Sequence, residues 1–224
     1  RDAQESRGLG DVYKRQAFIK ASFENVSKTY LRTQLTNNFG VSIVTAEHIL
    51  AAFAGLGIHN ALVELSEDEV PIFDGSSRVF VKAILESGVT ELDKKTKLYQ
   101  VVNSIRVGSS NAWAELRPAK TFSIDFEMNW PGTALSKQSL DMPIVNGAFV
   151  REICDSRTFC RESDVVRLKD EGFAVGGGIE NAIVVGENEM TVQDGLRYAD
   201  ECIRHKILDA LGDLSLVGLS LIHI

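Results

Sequence analysis

Four ionisable side chains in two distant segments have the residue types and spacing that a metal-dependent hydrolase needs. Glu47 and His48 are neighbours near the start of the chain, and His205 and Asp209 lie four residues apart near its end. Residues four apart in a helix project from one face, so that one ion can contact both. Two histidines and one carboxylate leave a coordination position open for water, as catalytic zinc requires. The pattern predicts that zinc lowers the pKa of this water and that Glu47 takes its proton.

The His205–Asp209 pair also has a simpler interpretation. A histidine and an aspartate at helical spacing often form a solvated ion pair that binds no metal. His48 becomes the leading candidate for a third ligand only because Glu47 stands directly beside it. The sequence around these residues therefore has to decide between the two interpretations.

The segments around both clusters resemble a known family in their order and spacing. They read VTAEHILAAFAGLGI at 44–58, EVPIFDGS at 69–76, RTF at 157–159, GGGIENAIV at 176–184, DGLR at 194–197 and RHKILDALGDL at 204–214. These blocks are similar to those of UDP-3-O-acyl-N-acetylglucosamine deacetylase, a zinc enzyme of the lipid A pathway. The resemblance covers about residues 30–218.

The resemblance implies the same metal chemistry as the residue types do. His48, His205 and Asp209 match the family's zinc ligands, and Glu47 matches its general base. Fe²⁺ is an alternative to Zn²⁺ because histidine and carboxylate ligands accept both ions. The substrate implied is UDP-3-O-acyl-N-acetylglucosamine, from which the N-acetyl group is removed.

Four further residues receive roles through the resemblance. Thr158 matches a threonine that stabilises the oxyanion, and Asp213 matches an aspartate that orients and charges a catalytic histidine. Lys206 matches a lysine that contacts the substrate phosphates, and Phe159 follows Thr158 in the substrate-binding block. Without the surrounding blocks, Thr158 is equally a turn residue or helix cap, and the charged residues are solvated helix groups.

The chain also departs from the family pattern. The family's second acid/base residue, a histidine well beyond the Gly-Asp-Leu motif, has no counterpart, and His223 does not replace it. Residues 1–16 and 219–224 resemble translated adapter sequence and are expected to be a non-native leader and tail. The alternative to an enzyme is therefore a non-catalytic remnant that binds zinc or a nucleotide sugar. His59 stands where the family commonly has aspartate and is interpreted as structural.

Composition predicts a soluble cytoplasmic protein. The 224 residues carry a net charge of −7, which argues against nucleic acid or an anionic membrane surface as a partner. The three cysteines have no CxxC spacing, which suits reduced thiols better than a disulfide framework. The apolar runs are too short for a membrane span, so stable membrane insertion is not expected. A monomer is the expectation from the resemblance.

The pattern of apolar residues favours an α+β fold of two similar domains, 17–95 and 96–218. Each is expected to be a small sheet packed against helices, with the helices sandwiched between the sheets. Strands are predicted at 41–44, 61–65, 99–107, 113–117, 121–128 and 182–185, and helices at 45–56, 79–88, 149–159, 162–172 and 199–213. The long final helix carries His205 and Asp209.

Overall fold

The computed structural model describes residues 16–93, 99–170 and 177–218. The predicted leader, apart from residue 16, lies outside these ranges, as do the boundary between residues 95 and 96 and the tail 219–224. The division into a leader, two domains and a tail therefore stays a prediction.

The first half of the described chain forms a three-stranded antiparallel sheet and two helices. After a 3-10 turn (Phe23–Asn25), the elements are β1 (Val26–Lys28), β2 (Gln34–Thr36), β3 (Ser42–Ile43), α1 (Glu47–Gly55) and α2 (Arg78–Ser87). β2 is the central strand, with Leu35 opposite Val26 of β1 and Ile43 of β3. α2 ends at Gly88, whose φ of 78° is readily adopted by a residue without a Cβ.

The second half contains two hairpins, a small mixed sheet and the long helix. Its elements are β4 (Ile105–Gly108), β5 (Trp113–Leu116), β6 (Ser123–Trp130), β7 (Ser136–Pro143), a π-helical turn (Phe149–Ile153), β8 (Phe159–Arg161), a 3-10 turn (Glu162–Asp164), α3 (Val165–Asp170), β9 (Ile183–Val185), β10 (Met190–Thr191) and α4 (Glu201–Ser215). The pairs β4–β5 and β6–β7 are antiparallel, whereas β8 runs parallel to β9. β10 completes the mixed sheet antiparallel to β9.

Helices α1 and α4 pack together at the centre of the described chain. Ala51 and Ala52 of α1 are fully buried in one cluster with Ile207 and Leu208 of α4. The same cluster includes residues of the β6–β7 hairpin. A second cluster joins the first sheet to both helices through Leu35, Ala46, Leu50 and Leu216. The prediction of an α+β fold with small sheets packed against helices is confirmed.

A glycine permits the close approach of α1 and α4. A Cβ added at Gly212 would lie 2.2 Å from the carbonyl oxygen of Glu47, too close for any side chain. The last turns of α4 therefore lie directly against the first turn of α1. This contact brings the Glu47–His48 dipeptide next to the helix face that carries His205 and Asp209.

Several predicted elements are wrong or have different limits. Residues 61–65 are not a strand, because this short apolar run pairs with no strand among the described residues. The predicted helix 149–159 is helical only over Phe149–Ile153, because Phe159 pairs with Ile183 as part of β8. β7 is missed because its sequence is polar, and all eight of its residues pair with β6. Of the predicted strand 99–107, only the part from Ile105 onward belongs to a paired strand, β4.

No helix among the described residues combines the length and the apolar character needed to cross a lipid bilayer.

Candidate metal centre

His48, His205 and Asp209 converge where α1 meets α4. One ligand atom from each of the three lies within 4.8 Å of the others. Asp209 Oδ1 is 3.2 Å from His205 Nε2 and 3.6 Å from His48 Nε2. The two imidazole rings meet edge to face, with centroids 4.9 Å apart. The structure therefore brings together all three residues that the sequence indicated as ligands.

The orientation of His205 is fixed by the backbone. Its Nδ1 lies 3.0 Å from the carbonyl oxygen of Ser156. A carbonyl only accepts hydrogen bonds, so Nδ1 carries the hydrogen and the lone pair is on Nε2. That lone pair is the one directed at Asp209 and His48. A histidine that donates its other ring N–H in this way is typical of metal ligands.

The protonation states of His48 and Asp209 also suit a cation. Burial, together with the neighbouring His205, lowers the pKa of His48 to about 3, so that its imidazole is neutral near pH 7. Burial alone would raise the pKa of Asp209, but His205 and Lys206 outweigh it and hold that pKa far below its ordinary value. Lys206 Nζ lies 2.8 Å from Asp209 Oδ2. A neutral imidazole and an ionised carboxylate are the forms that bind metal.

Buried polar atoms without hydrogen-bond partners show that this position suits a cation. Asp209 Oδ1 and His48 Nδ1 are buried and have no hydrogen-bond partner among the described residues. Burying an unpaired carboxylate oxygen is costly unless an ion or a donor compensates it. Two imidazole nitrogens and one carboxylate oxygen are ligands that zinc prefers. The donor set therefore fits a divalent transition metal.

Glu47 begins α1 directly before His48 and is itself buried. Its Oε2 accepts a hydrogen bond from the backbone N–H of Thr33 at 3.0 Å. Burial, helped by the negative charge of Asp209, raises the pKa of Glu47 to about 7. A carboxylate with such a pKa can both take up and release a proton near neutral pH. Thr45, two residues before Glu47, has a φ of 62°, which is unusual for a β-branched residue. Its hydroxyl donates a hydrogen bond to the carboxylate of Glu69.

Thr158 and Phe159 follow closely after Ser156, whose carbonyl contacts His205. The backbone of Thr158 donates to the carbonyl of Gly75 at 2.8 Å, and its own carbonyl accepts from Ile183. The Phe159 ring faces His205 with centroids 6.3 Å apart, and Lys206 Nζ lies 5.2 Å from the centre of that ring. The predicted substrate-binding residues Phe159 and Lys206 thus lie beside His205, whereas the contacts of Thr158 are with Gly75 and Ile183.

Comparison with known proteins identifies the family. The model of the family LpxC, UDP-3-O-acyl N-acetylglycosamine deacetylase, matches residues 3–223. The chain belongs to this family. A protein of Blochmanniella pennsylvanica named UDP-3-O-acyl-N-acetylglucosamine deacetylase is 39% identical over 97% of this chain. Proteins of the same name from Shewanella sediminis and Shewanella piezotolerans are 42% and 43% identical over 91% and 89% of it.

The chain spans part of the length of these deacetylase relatives. It covers 75% of the Blochmanniella protein, 67% of the Shewanella sediminis protein and 66% of the Shewanella piezotolerans protein. The family resemblance that the sequence motifs indicated is therefore confirmed over most of the chain.

Arg157 and Glu201, two charged residues outside the predicted set, hold the loop whose Ser156 carbonyl contacts His205. Arg157 donates from its backbone N–H and its Nε to Glu201 Oε1, at 3.0 and 2.8 Å. Its Nη atoms donate to the carbonyls of Gln193 and Gly195. The only sequence signal for this pair was the position of Arg157 inside the RTF block. Glu201 lies one helical turn before His205, and this spacing gave no indication that its carboxylate is buried.

A second arginine links the two halves of the chain near the same loop. Arg197 Nη2 lies 2.9 Å from Asp74 Oδ2, and its Nη1 donates to the carbonyl of Asp155 at 2.8 Å. Arg197 and Asp74 belong to two different blocks that resemble the family, at 194–197 and at 69–76. The structure shows that these two blocks are in direct contact.

Asp213 is held by a residue outside the predicted set. The hydroxyl of Thr33 donates to Asp213 Oδ1 at 2.7 Å. Burial raises the pKa of Asp213, although this hydrogen bond lowers it in part. No histidine among the described residues contacts Asp213. A lone threonine before a short strand carries no sequence signal for such a role.

Proposed function

We propose that this chain is a zinc-dependent hydrolase that removes the N-acetyl group from UDP-3-O-acyl-N-acetylglucosamine, a step of lipid A biosynthesis. The observation that carries the proposal is the convergence of His48, His205 and Asp209 beside Glu47 in a member of the deacetylase family. The relatives from three bacteria bear the name of this activity. The reaction adds water across the amide C–N bond and releases acetate and a free amine.

Zinc is the proposed metal, held by His48, His205 and Asp209. Fe²⁺ is accepted by the same donor types and is the alternative ion. When bound, such an ion supplies Lewis-acid chemistry, polarising the amide carbonyl and lowering the pKa of the attacking water. The Ser156 carbonyl keeps the His205 Nε2 lone pair directed at this position.

Glu47 is the proposed general base. Its carboxylate takes the proton from the attacking water as the oxygen bonds to the amide carbon. Its pKa of about 7 then allows the same carboxyl group to pass a proton to the leaving nitrogen. The N–H of Thr33 keeps one of its oxygens in place during both transfers.

Thr158, Phe159 and Lys206 form the proposed substrate contacts. The Thr158 hydroxyl donates to the oxyanion that develops on the amide oxygen, which lowers the energy of the transition state. Lys206 contacts the substrate phosphates, and Phe159 provides an apolar surface beside it. Burial alone would lower the pKa of Lys206, but Asp209 raises it above the ordinary value, so the ammonium is charged and attracts an anion.

Asp213 is proposed to assist the leaving-group step through its negative charge, which adds to burial and to Asp209 in raising the pKa of Glu47 and so favours the protonated form that passes a proton on. The family resemblance implies that this aspartate also orients a histidine, which has no counterpart in this sequence. The carboxylate of Asp213 lies on the face of α4 that also carries His205 and Asp209, at spacings of four residues. We further infer a cytoplasmic monomer that acts on a dissolved nucleotide sugar.

Acetate release from UDP-3-O-acyl-N-acetylglucosamine by the zinc-loaded chain tests the proposal. The wild-type protein should form acetate and the free amine in equal amounts. Glu47→Gln should lower kcat by roughly 10²–10⁴-fold, the usual contribution of a general base, while zinc content stays unchanged.

His59→Ala is the matched control, because His59 is an exposed histidine away from the cluster. It should keep the wild-type rate. A wild-type chain that binds about one equivalent of zinc and forms no acetate would instead support a non-catalytic zinc- or nucleotide-sugar-binding protein. A Glu47→Gln variant with the wild-type kcat would exclude Glu47 as the base.

A further inference from the structure

Thr33 contacts two site carboxylates from two different helices. It lies directly before β2 and only 5% of its surface is exposed. Its backbone N–H donates to Glu47 Oε2 on α1 at 3.0 Å, and its hydroxyl donates to Asp213 Oδ1 on α4 at 2.7 Å. Thr33 therefore connects α1 and α4 through two carboxylates of the proposed site.

The two carboxylates that Thr33 contacts differ in exposure, since Glu47 is buried and Asp213 is exposed. Lys206 is engaged with Asp209 at 2.8 Å. A buried carboxylate such as Glu47 needs hydrogen-bond donors to keep its position, and an exposed carboxylate such as Asp213 keeps one orientation only where a donor fixes it. Thr33 supplies one donor to each of Glu47 and Asp213 without adding a charge of its own.

The backbone around Thr33 is held in place from both sides. Its carbonyl oxygen accepts a hydrogen bond from Ala46, the residue before α1, at 3.4 Å. The next residue but one, Leu35, pairs with Ile43 of β3. The N–H and hydroxyl of Thr33 are therefore presented from the start of the central strand, which is fixed relative to the start of α1.

We propose that Thr33 is a positioning residue of the hydrolytic site, which fixes Asp213 through its hydroxyl and Glu47 through its backbone N–H. Thr33 touches no reacting atom and acts only through these two carboxylates. The inference rests on the proposed function, in which Glu47 moves the proton and Asp213 assists the leaving-group step.

Substitution can separate the two contacts, because only one of them uses the side chain. Thr33→Val keeps the shape of the residue and its N–H but removes the hydroxyl that holds Asp213. Thr33→Ser keeps the hydroxyl and removes only a methyl group. Thr36→Val is the matched control, since it removes a threonine hydroxyl from the adjoining strand β2. The partners of that hydroxyl are Ser27, Gln34 and Ser42, none of which belongs to the proposed site.

We expect Thr33→Val to lower kcat by about tenfold, the effect of losing one hydrogen bond to a charged group, with KM and zinc content unchanged. Thr33→Ser should recover most of the wild-type kcat, and Thr36→Val should retain it. If Thr33→Val does not fold, Thr33→Ala takes its place in the same comparison. A Thr33→Ser protein as slow as Thr33→Val would overturn the proposal, as would a Thr33→Val protein with wild-type kcat.

A double-mutant cycle tests whether the hydroxyl acts through Asp213. In an Asp213→Ala background, Thr33→Val should have no further effect on kcat, because its partner carboxylate is already gone. If the two substitutions multiply their effects, the hydroxyl acts elsewhere and the proposal fails.

Crystal structures separate this inference from the proposed function. A wild-type chain without turnover contradicts the deacetylase proposal, whereas the Asp213 conformation in the Thr33→Val protein is independent of turnover. A displaced Asp213 carboxylate in Thr33→Val supports positioning by Thr33. An unchanged carboxylate overturns it.

Discussion

Arg157 and Glu201 form a buried ion pair, with Arg157 Nε 2.8 Å from Glu201 Oε1 and side chains that are 4% and 0% exposed. Glu201 Oε2 also accepts the backbone N–H of Arg197 at 2.6 Å. Arg157 lies between Ser156, whose carbonyl holds His205, and Thr158. The ion pair therefore supports the loop that orients a proposed metal ligand and carries the proposed oxyanion donor.

Removing one partner of this pair should be strongly destabilising. We expect Glu201→Gln to lower the free energy of unfolding by about 3–5 kcal/mol, because it leaves the Arg157 guanidinium buried without its counter-charge. Urea denaturation followed by circular dichroism measures the change. Glu86→Gln is the control, since the Lys82–Glu86 pair is exposed and should contribute less than about 0.5 kcal/mol. Equal effects of the two substitutions would contradict a special role for the buried pair.

The same carboxylate should make stability depend on acid pH. Burial alone would raise the pKa of Glu201, but hydrogen bonds from Arg157 and Arg197 outweigh it and hold the pKa below its ordinary value. In such a case the stabilisation is present above the unfolded pKa and is lost as the pH falls through the native pKa, because the unfolded chain binds more protons in that window.

We therefore expect the wild-type free energy of unfolding to fall between about pH 5 and pH 3, and to fall less steeply in the Glu201→Gln protein. Urea titrations at a series of pH values give both slopes. Identical slopes would show that Glu201 does not titrate below its ordinary pKa.

Gly212→Ala tests the close approach of α1 and α4 by the sign of its effect. Helix propensity alone predicts a gain of about 1 kcal/mol when alanine replaces a helical glycine. The added Cβ would lie 2.2 Å from the Glu47 carbonyl oxygen, so we expect a loss of about 1–3 kcal/mol instead. Thermal and urea unfolding give the sign. A stabilised variant would mean that the two helices do not touch at Gly212.

From the convergence of His48, His205 and Asp209 we predict which histidines are needed for metal binding. His205→Ala should lose most of the bound zinc, because it removes one of three converging ligands. His59→Ala should keep the wild-type content of about one ion per chain. Elemental analysis after dialysis against metal-free buffer decides between them. Zinc retained by His205→Ala would place the metal elsewhere.

Part of the site was predictable because it depends on local geometry. A four-residue spacing on a helix puts His205, Asp209 and Asp213 on one face of α4 whatever the rest of the chain does. Glu47 and His48 are adjacent in sequence, so they necessarily lie close together in any fold. The family blocks around these residues identified the same candidates, and an α+β fold followed from the succession of apolar patterns.

The contacts between distant segments were decided only by tertiary packing. Residues 61–65 show that a short apolar run forms no strand when it has no partner among the described residues, whereas the polar β7 forms a strand because it pairs with β6 along its whole length. Thr33 meets Asp213 because α1 and α4 close on each other at Gly212, which no local pattern encodes. Sequence periodicity fixes the direction of a side chain relative to its own helix or strand. Which other side chain it meets depends on how those elements pack, and therefore on the whole core.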